Sequence, residues 1–376
     1  MDLPVLAGFG ADGSPSTRVA ERAARAWLAG GIVGLPTETV YGLAADAQDA
    51  RAVGRVYAAK GRPPDHPLIV HVAGAGALDG WSAVHDEAAH RLADTFWPGP
   101  LTLIVRRSAR AGDFITGGQA TVALRCPDHP VALACLAALV TESGDPARGV
   151  AAPSANRFGR VSPTRAADVV AELGDRLDPT RDLVVDGGAC AVGVESTIVD
   201  CTADPPRVLR LGAISQAQVD AALGRGPADE GGDAGWSRGN TGSADLPGRA
   251  AAVDGPDAGG SAPVRAPGTL ESHYAPMARV VLVERPADPG AAAATRESFP
   301  PGGIGLVAAA DVPTPDRWTR LAAPETPEDY ARDLYAALRR ADELGLATVV
   351  AVLPEDTEGP LAHAVRDRLT RAAHGE

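Results

Sequence analysis

The chain has 376 residues, 45% of them apolar and 22% charged, which suits a soluble protein large enough for two separate cores. A formal net charge of −13 argues against a protein whose main role is to coat nucleic acid, while leaving room for a local basic pocket. The opening "MDLPVLAGFGADGSPSTRVA" has no basic segment followed by an apolar one, and the longest obvious apolar run, "VALACLAALV", is too short to span a bilayer. A cytoplasmic protein is therefore expected.

In chain order, "STRVAERAARAWLAGG" reads as a helix with a Ser/Thr start and a glycine stop. "GIVGL" is a short buried strand closed by Pro36, and "DARAVGRVYAAK" is a helix ending at Lys60. "PLIVHV", "LTLIV", "TVALR", "DLVVD", "STIVD" and "RVLRL" are strand-like, rich in Val, Ile, Leu and Thr. "TRAADVVAELG" and "SQAQVDAALG" are helices falling between or after them, so residues 1–222 form an α/β domain around a large twisted sheet. Residues 223–278 are crowded with Gly, Pro, Ser and Asp, have no hydrophobic period, and read as a linker with a mobile middle. Residues 279–376 resume with strands "RVVLVE", "GIGLVAA" and "ATVVAVL". The helix "TPEDYARDLYAALRRADELG" has Thr326 as cap and Pro327 in its first turn, and "PLAHAVRDRLTRAAH" is the last helix. This is a small α/β unit with a parallel sheet. Cys126, Cys135, Cys190 and Cys201 show neither a CxxC pair nor zinc spacing, and buried free thiols are expected.

Four stretches could carry chemistry. "LPTETVYGLAADA" places Thr37, Glu38, Thr39 and Tyr41 just beyond a strand, where α/β sheets bind ligands, although an ordinary strand exit looks the same. "KGRPPDHPLIVH" holds Lys60, the only lysine in a chain with 35 Lys plus Arg, two residues before Arg62. Two cations could simply complement a helix C-terminus, but arginine would do that equally well, whereas a compact ammonium is a distinct point-charge ligand for phosphate. His71, in the strand, is open to both a core and a ligand role. "APSANRFGRVSPT" offers hydroxyls and backbone N–H groups to an anion, or is a plain turn. "GVESTIVD" is followed by "RVLRLG", in which Arg210 needs either a carboxylate or a bound phosphate as partner. There is no Walker loop, HExxH, GxSxG or dinucleotide fingerprint. A cleft of Lys, Arg, Thr, Ser and Asn without a covalent nucleophile suits phosphoryl or nucleotidyl transfer.

Taken in order, PTETVYGL, KGRP, HPLIVH, WPGPLT, TVALR, PSAN, SPT, GVESTIVD and LRLG resemble the YrdC family over about residues 15–222. "APGTLESHYAP" resembles the signature of its longer members, which carry an extra C-terminal domain. The resemblance implies a YrdC-like twisted mixed-sheet domain followed by a smaller Rossmann-like α/β domain. It also implies threonylcarbamoyl-AMP synthase activity, using ATP, L-threonine and bicarbonate and releasing pyrophosphate. The product would pass to the tRNA threonylcarbamoyl-transfer machinery. By resemblance, Lys60 and Arg62 are catalytic and form a tetrad with Ser154 and Asn156. Thr39, His71, Arg125, Ala152 and Ser196 match threonine-binding positions. Lys60, Arg62, His66, Thr121, Ser154, Asn156, Ser162, Arg210 and Tyr274 match nucleotide-binding positions, with Tyr274 part of a segment covering the site. Mg²⁺ is implied with ATP, and no carboxylate cage for it is visible. His66 stands where the family more often has Asn, and Phe158 replaces a small residue. A carbamoyl-adenylate module of the hydrogenase-maturation type would need CxxC pairs that this chain lacks. A YrdC-like RNA-binding module without adenylate chemistry is the non-enzymatic alternative. Weak RNA binding is compatible with either reading.

Overall fold

The computed structural model describes residues 2–226, 264–267, 274–285 and 303–374. The middle of the expected linker, including most of "APGTLESHYAP", lies outside the described residues. The strands are β1 (Val5–Ala7), β2 (Val33–Leu35), β3 (Gly42–Asp46), β4 (Ile69–Val72), β5 (Leu101–Arg106), β6 (Thr121–Arg125) and β7 (Gly149–Ala151). They continue with β8 (Leu183–Asp186), β9 (Thr197–Asp200), β10 (Arg207–Arg210), β11 (Arg279–Val283), β12 (Ile304–Val307), β13 (Thr319–Ala322) and β14 (Thr348–Val352). Ten form one mixed sheet in the order β1-β8-β2-β3-β7-β4-β6-β5-β9-β10, and four form a second in the order β11-β14-β12-β13. Every pairing in the second sheet is parallel, as a strand–helix alternation requires.

Helix starts follow local chemistry. Ser16 caps Thr17–Leu28 by accepting from Val19 N, and Asp49 caps Ala50–Lys60 by accepting from Arg51 N and Ala52 N. Gly61, with φ 64°, ends that second helix in the left-handed region and turns the chain toward Arg62. The helix Ala166–Leu173 starts one residue later than a Thr164 cap would give. The Asp168 carboxylate reaches back to the N–H groups of Thr164 and Arg165, making Arg165 the cap position. The apolar run 131–140 is the body of helix Pro130–Ser143, which packs Cys135, Leu136 and Leu139 against Ala23, Ala24 and Trp27 on one face of the large sheet. Ala52, Val56, Val169 and Leu173 cover another part of it.

The second domain packs the helices Pro327–Glu343 and Pro360–Ala373 on its sheet, and its core is shared with the first domain. Val40, Val161 and Val194 belong to the same buried cluster as Tyr330, Leu334, Tyr335 and Leu338. All four cysteines are buried and free. Among the described residues no helix is long and apolar enough to cross a membrane.

Candidate active site

A cavity is formed over the middle of the large sheet by the turn after β2, by β4, by the ends of β6, β7 and β10, and by the start of β9. β4 and β6 are parallel, and His71 stands opposite Arg125 in register, so both reach the cavity from adjacent strands. The turn after β2 is held by its own hydroxyl. Thr37 Oγ1 donates to Val40 O at 2.6 Å and accepts from the N–H groups of Thr39 and Val40, each at 3.2 Å. This fixes Thr39, whose Oγ1 accepts from Arg125 Nη1 at 2.7 Å. Arg125 Nε donates to Gly99 O, and its Nη2 lies 2.5 Å from Glu38 Oε1. That last contact is an ion pair without hydrogen-bond alignment, because among the described residues neither oxygen of Glu38 nor Arg125 Nη2 has a hydrogen-bond partner. Burial first, then the Arg125 cation, depress His71 to about 3, so its imidazole is neutral at physiological pH.

The facing wall is built on Ser196 and Arg210. Arg210 donates from Nε and Nη2 to Ser196 O at 3.0 and 2.9 Å, and from Nη2 to Ser196 Oγ at 3.0 Å. Its Nη1 donates to Pro267 O at 2.9 Å, so the expected linker returns to the cavity. Ser196 Oγ shares a hydrogen bond with Thr102 Oγ1 at 2.7 Å. Arg62 donates from Nη2 to Pro67 O, its Nε has no hydrogen-bond partner among the described residues, and its guanidinium lies 5.9 Å from the centre of the Phe158 ring. Phe158 also meets His66 edge-on at 5.4 Å. Ala152 packs close to Gly42, where a Cβ would lie a tight 3.2 Å from that of Ala152.

Thr39, Arg62, His71, Arg125, Ala152, Ser154, Ser196, Arg210 and Tyr274 thus converge on one cavity. Tyr274 is buried at φ 66°, with its ring stacked on Tyr335 at 5.6 Å. The other candidates stand behind the lining. The Lys60 ammonium is buried beneath the "PSAN" loop and donates to the carbonyls of Ser154 and, at 2.6 Å, Asn156. Burial and the nearby Arg62 cation lower its pKa well below the usual lysine range. Asn156 donates to Arg157 O and Arg160 O, each at 2.8 Å, and tightens the same loop. Ser162 is buried and donates to Glu195 Oε1 at 2.8 Å. Thr121 opens β6, and half-buried His66 accepts at its carbonyl from the Tyr57 hydroxyl.

Sequence reasoning did not select Glu195, which lines the cavity, or Arg368 and Tyr335 of the second domain, which hold it. Only Glu195's position inside "GVESTIVD", next to Ser196, could have drawn attention to it. The arrangement presents three guanidiniums and several hydroxyls, which suits an anionic ligand bearing carboxylate and phosphate groups.

Residues 25–212 match the Sua5–YciO–YrdC family, described as telomere recombination. Residues 230–374 match the family described as the C-terminal domain of threonylcarbamoyl-AMP synthase. The chain is 37% identical to the threonylcarbamoyl-AMP synthase of Bacillus subtilis over 92% of its own length and 90% of that protein's. It belongs to the Sua5–YrdC family. The Pyrococcus abyssi threonylcarbamoyl-AMP synthase is 36% identical over 92% of this chain and 91% of its own. The structure of P. abyssi Sua5 complexed with L-threonine superposes with a TM-score of 0.75 at 32% identity, covering 98% of this chain and 97% of that one. A P. abyssi Sua5 variant with a His and a Tyr replaced by alanine superposes equally well, over 99% and 96% of the two chains. The sequence expectation of a mixed-sheet domain followed by a smaller α/β domain agrees with these likenesses.

Proposed function

We propose that this protein is a threonylcarbamoyl-AMP synthase that joins L-threonine, bicarbonate and MgATP into threonylcarbamoyl-adenylate and pyrophosphate. The observation that carries this reading is family membership that takes in both domains, with a relative matched over 92% of the chain. The threonine amine and bicarbonate give a carbamate and water. A carbamate oxygen then attacks the α-phosphorus of ATP, and the bond to the departing pyrophosphate breaks. No protein nucleophile is required, in keeping with a cavity lined by cations and hydroxyls. Arg125, with Thr39 and neutral His71, would hold the threonine carboxylate and hydroxyl. Arg62 and Arg210 would neutralise the nucleotide, while Lys60 sets the Ser154–Asn156 loop from behind.

Glu195 is the one carboxylate among the described residues lining the cavity, and both its oxygens are engaged by Ser162, Tyr335 and Arg368. These residues do not fit a metal held by protein ligands. Mg²⁺ is therefore proposed to arrive on the triphosphate as part of the substrate. We assign the product to the tRNA threonylcarbamoyl-transfer machinery and the reaction to the cytoplasm. The test is pyrophosphate release measured with each substrate withheld in turn. Release should require threonine and bicarbonate together, and unchanged release without threonine would overturn the reading.

A further inference from the structure

Glu195 is a carboxylate in the wall of a cavity proposed to take a polyphosphate, where an unpaired negative charge would oppose binding. It is not unpaired. Arg368, on helix Pro360–Ala373 of the second domain and fully buried, donates from Nε to Glu195 Oε2 at 2.9 Å. Tyr335, on helix Pro327–Glu343, donates its hydroxyl to the same oxygen at 2.8 Å, and Ser162 completes the shell at Oε1. Arg368 is itself fixed by donation from Nη2 to Leu211 O at 2.8 Å and from Nη1 to Asp367 at 2.6 Å. Its guanidinium lies 5.4 Å from the centre of the Tyr274 ring. Asp367 also pairs with Arg371. Arg210 acts on Glu195 as well: burial alone would raise the Glu195 carboxyl, but the Arg368 and Arg210 guanidiniums outweigh it and hold it at about 2.

We infer that Arg368 is a positioning residue of the second domain that neutralises Glu195, so that Arg210 remains available to the nucleotide. Without Arg368, Glu195 would draw on the charge of Arg210 and cancel that cation's attraction for the phosphates. The second domain thereby sets the electrostatics of a cavity whose binding groups come mostly from the first. This rests on the ATP-dependent activity proposed above.

The experiment is calorimetric titration of full-length protein with a non-hydrolysable ATP analogue. It compares wild type with Arg368→Gln, Glu195→Gln and the double variant. Arg368→Gln should weaken binding roughly tenfold, since it leaves a buried charge beside the phosphates. Glu195→Gln should bind as tightly as wild type or more tightly, and the double variant should recover to within about twofold of wild type, because neither leaves a bare carboxylate. A merely structural ion pair would give weaker binding in all three, because each breaks the same pair, and that result overturns the inference. So does unchanged binding in Arg368→Gln. If Arg368→Gln does not fold, Glu195→Gln decides: equal or tighter binding supports the inference and weaker binding overturns it. A wild-type protein that binds no analogue would instead refute the proposed activity itself.

Discussion

Arg125 donates from Nη1 to Thr39 Oγ1 at 2.7 Å, tying the end of β6 to the turn after β2 across 86 residues of sequence. The same guanidinium reaches Gly99 O and Glu38, so its fork is pre-oriented before any ligand arrives. Pre-orientation of this kind reduces the ordering cost of binding a carboxylate.

Arg125→Lys keeps the charge but cannot reproduce donation to Thr39 and Gly99 together. Losing a charge-assisted bond of about 1.5–3 kcal/mol should raise the threonine KM roughly 10- to 150-fold. The KM for ATP should move less than about threefold, since the residues proposed for the nucleotide are different ones. Steady-state kinetics with each substrate varied checks this, and equal rises in both would place Arg125 in general folding rather than threonine binding.

Lys60 lies under the "PSAN" loop, its ammonium between the carbonyls of Ser154 and Asn156. Lys60→Met leaves both buried acceptors without their donor. A total cost of about 2–4 kcal/mol should lower Tm by about 5–15 °C and reduce kcat along with it. Lys60→Arg should also be impaired, because a planar fork overfills a site shaped for a compact ammonium. Wild-type Tm and kcat in Lys60→Arg would show that the site has room for either cation.

Much of this was legible in the sequence, for identifiable reasons. Strands such as "TVALR" and "STIVD" carry their own β-branched signal, and Thr326–Pro327 and Ser16 announce helix starts. β3 was not read as a strand, because "GLAAD" has small residues and no β-branched ones and is stabilised by its neighbours β2 and β7. That Lys60 is special could be read from its being the only lysine, but its carbonyl partners lie nearly a hundred residues away. The Glu195–Arg368 pair spans 173 residues and two domains, and no local pattern marks either member.

His71 gives a pH signature. Its folded pKa of about 3 lies below the ordinary 6.5, so between those values the unfolded chain binds a proton that the folded protein refuses. The corresponding stability is present above about pH 6.5 and is lost as pH falls, with a limiting slope of about 1.4 kcal/mol per pH unit. His71→Asn should remove this contribution, so that from pH 6.5 to 5 the variant loses roughly 1.5 kcal/mol less than wild type. His66 and His129, also shifted down mainly by burial, remain in both proteins and drop out of the comparison. Denaturant melts at the two pH values decide it. Parallel losses in the two proteins would mean that His71 titrates normally in the folded state.

Gly193 tests how tightly the Glu195 loop must sit on the second domain. Its φ is 81°, and a Cβ there would lie 2.4 Å from both Ala331 O and Arg332 Cα, in the backbone of helix Pro327–Glu343. Two effects therefore add in Gly193→Ala. The left-handed conformation costs a non-glycine residue about 1 kcal/mol or more, and the overlap cannot be relieved by rotating a side chain. Helix and loop must separate, which pulls Glu195 from Tyr335 and Arg368. The expected result is a loss of about 2–4 kcal/mol in stability together with weaker nucleotide binding. Adding Arg368→Gln to Gly193→Ala should then weaken nucleotide binding by much less than the same change does in wild type, since the pair is already parted. Full additivity of the two substitutions would show that the loop keeps its ion pair when displaced, and that Gly193 matters only to the backbone.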